Sequence, residues 1–393
     1  MTEINLRHGI FLPPFHPNEE DPTQCLERDL ELMVWLDKLG FHEAWIGEHH
    51  SAGYEIIASP EVFIAGAAER TRRIRLGTGV SSVPYHHPLM LADRIMQLDH
   101  QTRGRVMFGV GPGALPSDAF MMGIDVQRQR EMMDEALAAL VPLLRGEAVT
   151  METDWFTLRN ARLQLRSYTQ PSIEIAVASQ VSPAGARAAG KYGLSLLSIG
   201  ATSTGGFNAL SSNWDICEAK AREHGQAVDR NRWRLVGPMH IAETRQQARQ
   251  NVRFGLEAWL DYFRRVAALP LAPEGNIDDA VDAMNATGFA VIGDVDDAIA
   301  QVERLQQQSG GFGCMLQMAH EWADREATLK SYELIARYVM PRFQNATEGT
   351  VLSRDWAADN RPEFIGSAVQ AIMTEISKHT AEQEQKEHAL QSA

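Results

Sequence analysis

Several kinds of scaffolding are missing from this 393-residue chain. Its three cysteines, Cys25, Cys217 and Cys314, stand singly with no CxxC pair, so neither a disulfide framework nor a zinc site is expected, and they read as reduced, partly buried thiols. Cations are in deficit: 37 Lys and Arg face 51 Asp and Glu, a formal net charge of -14. That balance gives no electrostatic footprint for nucleic acid or an anionic membrane and leaves small molecules and proteins as partners. No run of about 18 apolar residues appears, and the opening MTEINLRHGIF has no signal-type apolar stretch, so the expected location is the cytoplasm.

What is present is a rhythm. Apolar residues make up 44% of the chain, enough core for one large barrel domain or two ordinary ones. Short β-like runs alternate with helical patterns, the signature of parallel βα units. HGIFLPPF comes first; Asp21-Pro22 then supplies an N-cap and a first-turn proline, and Gly40 stops the helix. Strand-like runs follow at 43–47, 74–80, 105–111, 172–178, 194–200, 234–242 and 312–320. Eight β/α repeats are the count of a TIM barrel, an α/β fold. Two stretches break the rhythm: 149–168 reads as an extra hairpin, and 254–294, between strands seven and eight, reads as an insertion, its segment Ala267–Asn276 with Pro270, Pro273 and Gly275 as a lid. The barrel is expected over 1–345 and a helical, then loose, polar tail over 346–393, with a helix near 362–377. A doubly wound dinucleotide fold is disfavoured, because the nearest glycine motif, GVGPGA, lies in the fourth unit with the wrong spacing.

Chemistry in such a barrel sits at the C-terminal strand ends. There the chain carries Pro13-Pro14-Phe15-His16, Glu48-His49-His50, Thr78-Gly79-Val80-Ser81, Gly111-Pro112-Gly113, Ser179-Gln180-Val181-Ser182 and Met318-Ala319-His320. Glycines let backbone approach a flat ligand, and Ser179 and Ser182 precede a helix whose N-terminus suits an anion, so a planar phosphorylated cofactor fits. Taken singly, each feature is better read as a turn or a cap, and together they lean towards a site. The histidine pair has three readings: metal ligands, a structural pair, or acid/base and substrate-binding groups. Consecutive strand residues face opposite ways, which speaks against one shared metal, and no metal is expected.

The stretches GIFLPPFHP, LGFHEAWIGEHHSAGYEIIASPEVFIA, IRLGTGVSSVPYHHPLMLADRIMQLDHQTRGRVMFGVGPGALPSDAFMMGID and AVASQVSPAGARAAGKYG carry a resemblance to the bacterial luciferase-like, flavin-dependent monooxygenases, in particular their limonene monooxygenase-like subgroup. It spans about residues 9–343. The resemblance implies reduced flavin mononucleotide (FMN) delivered by a separate flavin reductase, oxygen activation through a C4a-hydroperoxide, and oxygenation of a small apolar substrate such as a terpenoid, aldehyde or ketone. It also implies a homodimer through helices two and three, where Val62, Phe63, Ile64, Ala67, Ala68, Leu89, Met90, Leu91, Ile95, Met96 and Leu98 offer more apolar surface than one stripe needs. By the same resemblance Glu48, His49 and His50 are the candidate catalytic residues, His49 in acid/base chemistry. Thr78 and Gly79 lie against the flavin ring, and Ser179, Ser182 and Arg130 hold the phosphate, with Gly111 and Gly113 at the same rim. A second phosphate-binding arginine of the family falls on Pro112, leaving phosphate to Arg130, the serines and backbone N–H groups. Pocket walls are expected from Phe15, Tyr54, Tyr85, Trp214, Met239 and Met318. Deazaflavin-dependent hydride-transferring reductases and non-catalytic flavin-binding homologues share the barrel and remain alternatives.

Overall fold

A computed structural model describes residues 5–13, 15–267, 273 and 275–392. Pro14 of the first strand-end motif and Pro270, with most of the expected lid segment, lie outside them. The chain forms two compact units, one ending at Gln344 and one beginning at Asn345.

The first unit is a closed parallel barrel. Its strands are β1 (Arg7–Leu12), β2 (Glu43–Ile46), β3 (Arg75–Thr78), β4 (Val106–Gly111), β5 (Ile175–Ser179), β6 (Ser195–Ser198), β7 (Arg234–Ile241) and β8 (Cys314–Met318). Each pairs with its sequence neighbour, and β1 with β8 (Arg7 opposite Cys314) closes the ring. Period-two alternation divides every strand. Phe11, Trp45, Met107, Ala176, Leu197, Val236 and Leu316 fill the barrel, while Ile10, Leu76, Phe108, Val177 and Leu235 face the helices.

The helices are α1 (Pro22–Leu39), α2 (Pro60–Arg70), α3 (Pro88–Thr102), α4 (Pro116–Met121), α5 (Gln129–Leu144), α6 (Ala184–Tyr192), α7 (Thr204–Glu223), α8 (Arg245–Asn251), α9 (Leu256–Arg265), α10 (Ile277–Thr287), α11 (Val295–Ser309), α12 (Arg325–Leu334) and α13 (Met340–Phe343). The Asp21 side chain accepts the Gln24 N–H to start α1, and Gly40, at φ 85°, ends it. The expected hairpin forms from Val149–Glu152 and Thr157–Ala161. Among the described residues no helix is long and apolar enough to cross a membrane.

The insertion 254–294 carries α9, α10 and a short strand, Val291–Gly293, paired with the end of β7. It has its own core, in which Leu256, Trp259, Leu260, Tyr262, Val281 and Met284 pack with Phe15 and Leu115. Its described helices are therefore anchored elements, with the apolar burial of a small subdomain.

Charge closes the barrel's opposite end. Glu43, fully buried at the start of β2, takes Arg234 Nε and Nη2 at 2.9 and 3.0 Å and Trp45 Nε1 at 3.0 Å. Arg234, itself fully buried, also pairs with Glu174, which meets Arg75 at 3.0 Å. Burial pushes the Glu43 carboxyl up, and the Arg234 charge overcomes it and holds it at about 2.

Two expectations are corrected here. Of the apolar residues on α2 and α3, only Val62 (72% exposed) and Met90 (56%) stand well out; Phe63, Ile64, Ala67, Ala68, Leu91, Ile95, Met96 and Leu98 are buried and Leu89 half-buried. Both helices touch the sheet and neighbouring helices, so the apparent surplus serves two internal faces. The part of the tail expected to be loose is helical as well: the second unit carries α14 (Glu348–Asp359) and α15 (Arg361–Gln391). Its Ala, Glu, Gln and Lys residues are strong helix formers, and propensity outweighs the lack of an apolar core here.

Candidate active site

At the C-terminal rim of the barrel the chain after β2 leaves extended structure at Gly47, and Glu48, His49 and His50 aim at different partners. Glu48 is the hub of one set. Its Oε1 takes His50 Nε2 at 2.9 Å and His86 Nε2 at 2.8 Å, and its Oε2 takes the Ser82 N–H at 2.9 Å. Burial raises this carboxyl, but His50, His86 and the Ser82 N–H together hold it at about 2. Arg94 donates to His86 Nδ1 at 3.2 Å and to Glu61 at 3.2 Å. An arginine can only donate, so His86 carries its proton on Nε2, toward Glu48.

His49 belongs to a second set. Its Nδ1 lies 3.1 Å from Asp118 Oδ2 and its Nε2 3.1 Å from Glu55 Oε2. A carboxyl group at each ring nitrogen favours the imidazolium, the form with an N–H on both. Burial lowers this histidine, and the Glu55 and Asp118 charges reverse that and push it up to about 10. The ring expected to titrate near neutrality thus lies between two carboxylates, which favour its charged form. Asp118 Oδ1 also accepts the His50 N–H at 3.1 Å and the Ser51 hydroxyl. His50 differs. It is 20% exposed, its Nε2 faces Glu48, and its pKa is raised by that bond; among the described residues its Nδ1 has no hydrogen-bond partner.

The remaining candidates fall into three groups. Thr78 is buried and its hydroxyl is spent between strands, donating to Gly109 O at 2.7 Å and accepting the Gly109 N–H at 3.0 Å. At the glycines, protein atoms already occupy the missing side chain's place. A Cβ on Gly79 would lie 2.8 Å from Trp45 Cβ, on Gly111 2.6 Å from Val80 Cγ2, and on Gly113 (φ 96°) 2.3 Å from Tyr85 Oη. Those three glycines are explained by packing inside the rim, without a ligand. The phosphate candidates separate: Ser179 is buried with no partner for its Oγ among the described residues, Ser182 is exposed at 3.4 Å from the Ala184 N–H, and α6 has Pro183 at its N-cap and no side-chain cap. Arg130 is exposed and bonds to no described residue, because one residue of helical rotation turns Gln129 inward, onto Tyr85 Oη and Pro112 O, and Arg130 outward. Ser81 Oγ, like Ser179 Oγ, is buried and unpartnered.

Half-buried Val80, Ile199 and Met318 cap the barrel's interior cluster and give the mouth an apolar floor. Phe15 and Tyr54 stack at 5.3 Å on one side, and Tyr85 stands near His50, with ring centroids 6.0 Å apart. Trp214 and Met239 are not walls: Trp214 stacks on Trp233 at 5.0 Å, and both Trp214 and Met239 lie between helices and sheet. Asp118, Glu55, Tyr262, Arg94 and Glu61 escaped the sequence reading. A lone carboxylate in GYEII and another opening a short helix in PSDAF were the available signals.

This rim on this barrel is the architecture of a known class. The luciferase-like monooxygenase family profile matches residues 6–311, and the chain belongs to that family. It is 49% identical to limonene 1,2-monooxygenase of Rhodococcus erythropolis over 85% of this chain and 86% of that one. It is 45% identical to 4-hydroxyprotoasukamycin monooxygenase of Streptomyces nodosus subsp. asukaensis, covering 89% and 96%. In fold it is similar to the oxygenating constituent of 3,6-diketocamphane monooxygenase of Pseudomonas putida, a type II Baeyer-Villiger enzyme solved in complex with FMN (TM-score 0.70, 24% identity, 86% and 99% covered).

Proposed function

We propose that this chain is the oxygenase component of a two-component FMN monooxygenase, taking reduced FMN from a separate flavin reductase and inserting one oxygen atom of O2 into a small apolar, terpenoid-like substrate. The observation that carries the reading is the buried Ser179 hydroxyl at the barrel rim, without a partner among the described residues and next to the uncapped start of α6, a place suited to a phosphate. The names of the relatives, a limonene monooxygenase, a 4-hydroxyprotoasukamycin monooxygenase and an FMN-bound Baeyer-Villiger oxygenase, support it.

The residues present fit a flavin phosphate on one count, the orphaned Ser179 hydroxyl beside the uncapped start of α6. Ser179 and the first N–H groups of α6 would hold it, with Ser182 and Arg130 adding contacts from the exposed side. When bound, reduced flavin supplies the electrons that activate oxygen. The chain's own part is to hold charge and move protons. His49 is held between Glu55 and Asp118, and His50, with Nε2 anchored on Glu48 and no partner for Nδ1 among the described residues, is the group able to pass a proton at the mouth. The apolar floor of Val80, Ile199 and Met318 excludes water and reads substrate by shape. Anaerobic titration with reduced FMN followed by an oxygen pulse tests the proposal. A flavin absorbance transient outliving that of free reduced FMN is expected; preferential binding of reduced deazaflavin, with no transient, would replace oxygenation by hydride transfer.

A further inference from the structure

The insertion reaches the site through one polar contact. Tyr262 of α9 is buried, and its hydroxyl donates to Glu55 Oε1 at 3.0 Å, while the other oxygen of Glu55 holds His49 Nε2 at 3.1 Å. The Tyr262 ring packs on Phe15 at 5.5 Å, Tyr54 at 4.9 Å and Phe263 at 4.8 Å. A phenylalanine would satisfy that aromatic packing; the hydroxyl has no other partner among the described residues, and a buried hydroxyl without one is costly. Glu55 is fixed by its backbone as well, through an antiparallel bridge to Phe15 and the His16 N–H bond to Tyr54 O at 2.8 Å.

Two acceptors on opposite edges of an imidazole also set its orientation. A half-turn of the His49 ring would replace both nitrogens with carbons, breaking the Asp118 hydrogen bond and removing the Nε2 contact with Glu55. Asp118 holds one edge from α4, and Glu55 holds the other only as firmly as it is itself held. We propose that Glu55 and Tyr262 are positioning residues that act through His49, so that helix α9 of the insertion sets the orientation of the imidazolium at the barrel mouth. Its value for turnover rests on the flavin reading; the contacts do not.

The experiment is histidine-resolved NMR on the full chain without flavin, with His49→Gln identifying the signal. The charged groups facing His49 are Glu55 and Asp118, with Glu48 and His50 next along the chain and Tyr262 behind Glu55. In the wild type both ring nitrogens stay protonated well above neutral pH. Glu55→Gln is expected to lower the midpoint of His49 by about 1–3 pH units, the effect of removing an opposite charge at this distance. Tyr262→Phe, which keeps the ring and the packing, should speed exchange of the His49 Nε2 proton about 10-fold or more, the loss of one hydrogen bond to a charged group. An unmoved midpoint in the first variant, or unchanged exchange in the second, overturns the proposal. Neither readout needs flavin, so failure of the cofactor reading and failure of this one are separate results.

Discussion

Glu48→Gln is the perturbation whose size the structure sets most directly. The carboxylate is buried, and three donors, His50 Nε2, His86 Nε2 and the Ser82 N–H, converge on it within 2.8–2.9 Å. They hold it at about 2, against 4.5 for a free glutamate. At ~1.36 kcal/mol per pH unit, that separation is worth ~3 kcal/mol of folding free energy at pH 7. The amide keeps the volume and can still accept one or two of the bonds, but it removes the charge and brings an NH2 toward an imidazole that must also donate. A loss of ~2–4 kcal/mol is therefore expected. The sign with pH follows from a depressed carboxyl: the contribution is complete above the unfolded value and is lost as pH falls toward the folded one. Wild type minus variant should thus shrink by ~2 kcal/mol between pH 7 and pH 3. Urea unfolding followed by the fluorescence of the eight tryptophans at both pH values measures it. In the same variant the His50 titration should move down toward 6.5, since the Glu48 bond is the main cause of its elevation. A stability difference that stays constant from pH 7 to pH 3 would refute the assignment of ionised Glu48 as the hub.

Three further outcomes are expected. His49→Gln should cost most below pH 6.5, where the ring is protonated in both states and its contribution is complete, with the difference from wild type fading as pH rises toward 10, because between those values the fold must hold a proton that the unfolded chain has released; a pH-independent difference in thermal unfolding would contradict the clamped imidazolium. Glu43→Ala should destabilise the barrel by ~3–5 kcal/mol by leaving Arg234 partly uncompensated, without changing FMN affinity; a weakened dissociation constant by fluorescence titration would place that cluster in the site. Arg130→Ala should weaken FMN binding by no more than ~1 kcal/mol, as for an exposed ion pair, whereas a hundredfold loss by the same titration would mean that binding draws the side chain in.

Periodicity determined the barrel. Each strand is a short apolar run and several helices carry their own start and stop, as Asp21 and Gly40 do for α1, and such signals are local, carried by residues within a few positions of one another. The strand ends followed from the same alternation, so the Glu48-His49-His50 stretch could be placed at the rim before any coordinates. What each of those three side chains touches could not be read in this way. Asp118 lies 69 residues from His49, Glu55 reaches it only because its loop bridges to Phe15, and Tyr262 reaches Glu55 across 207 residues. The charge of His49 therefore belongs to the tertiary structure, since a pKa is set by the field of groups gathered from distant segments. The glycines show the same division. Gly79, Gly111 and Gly113 were visible as places for close backbone approach, and only packing shows that Trp45, Val80 and Tyr85 stand where a Cβ would be. On α5 the chain's own rotation decides that Gln129 faces in and Arg130 faces water. Sequence orders the elements because their signals are local, and the fold assigns charges and partners because those depend on distance in space.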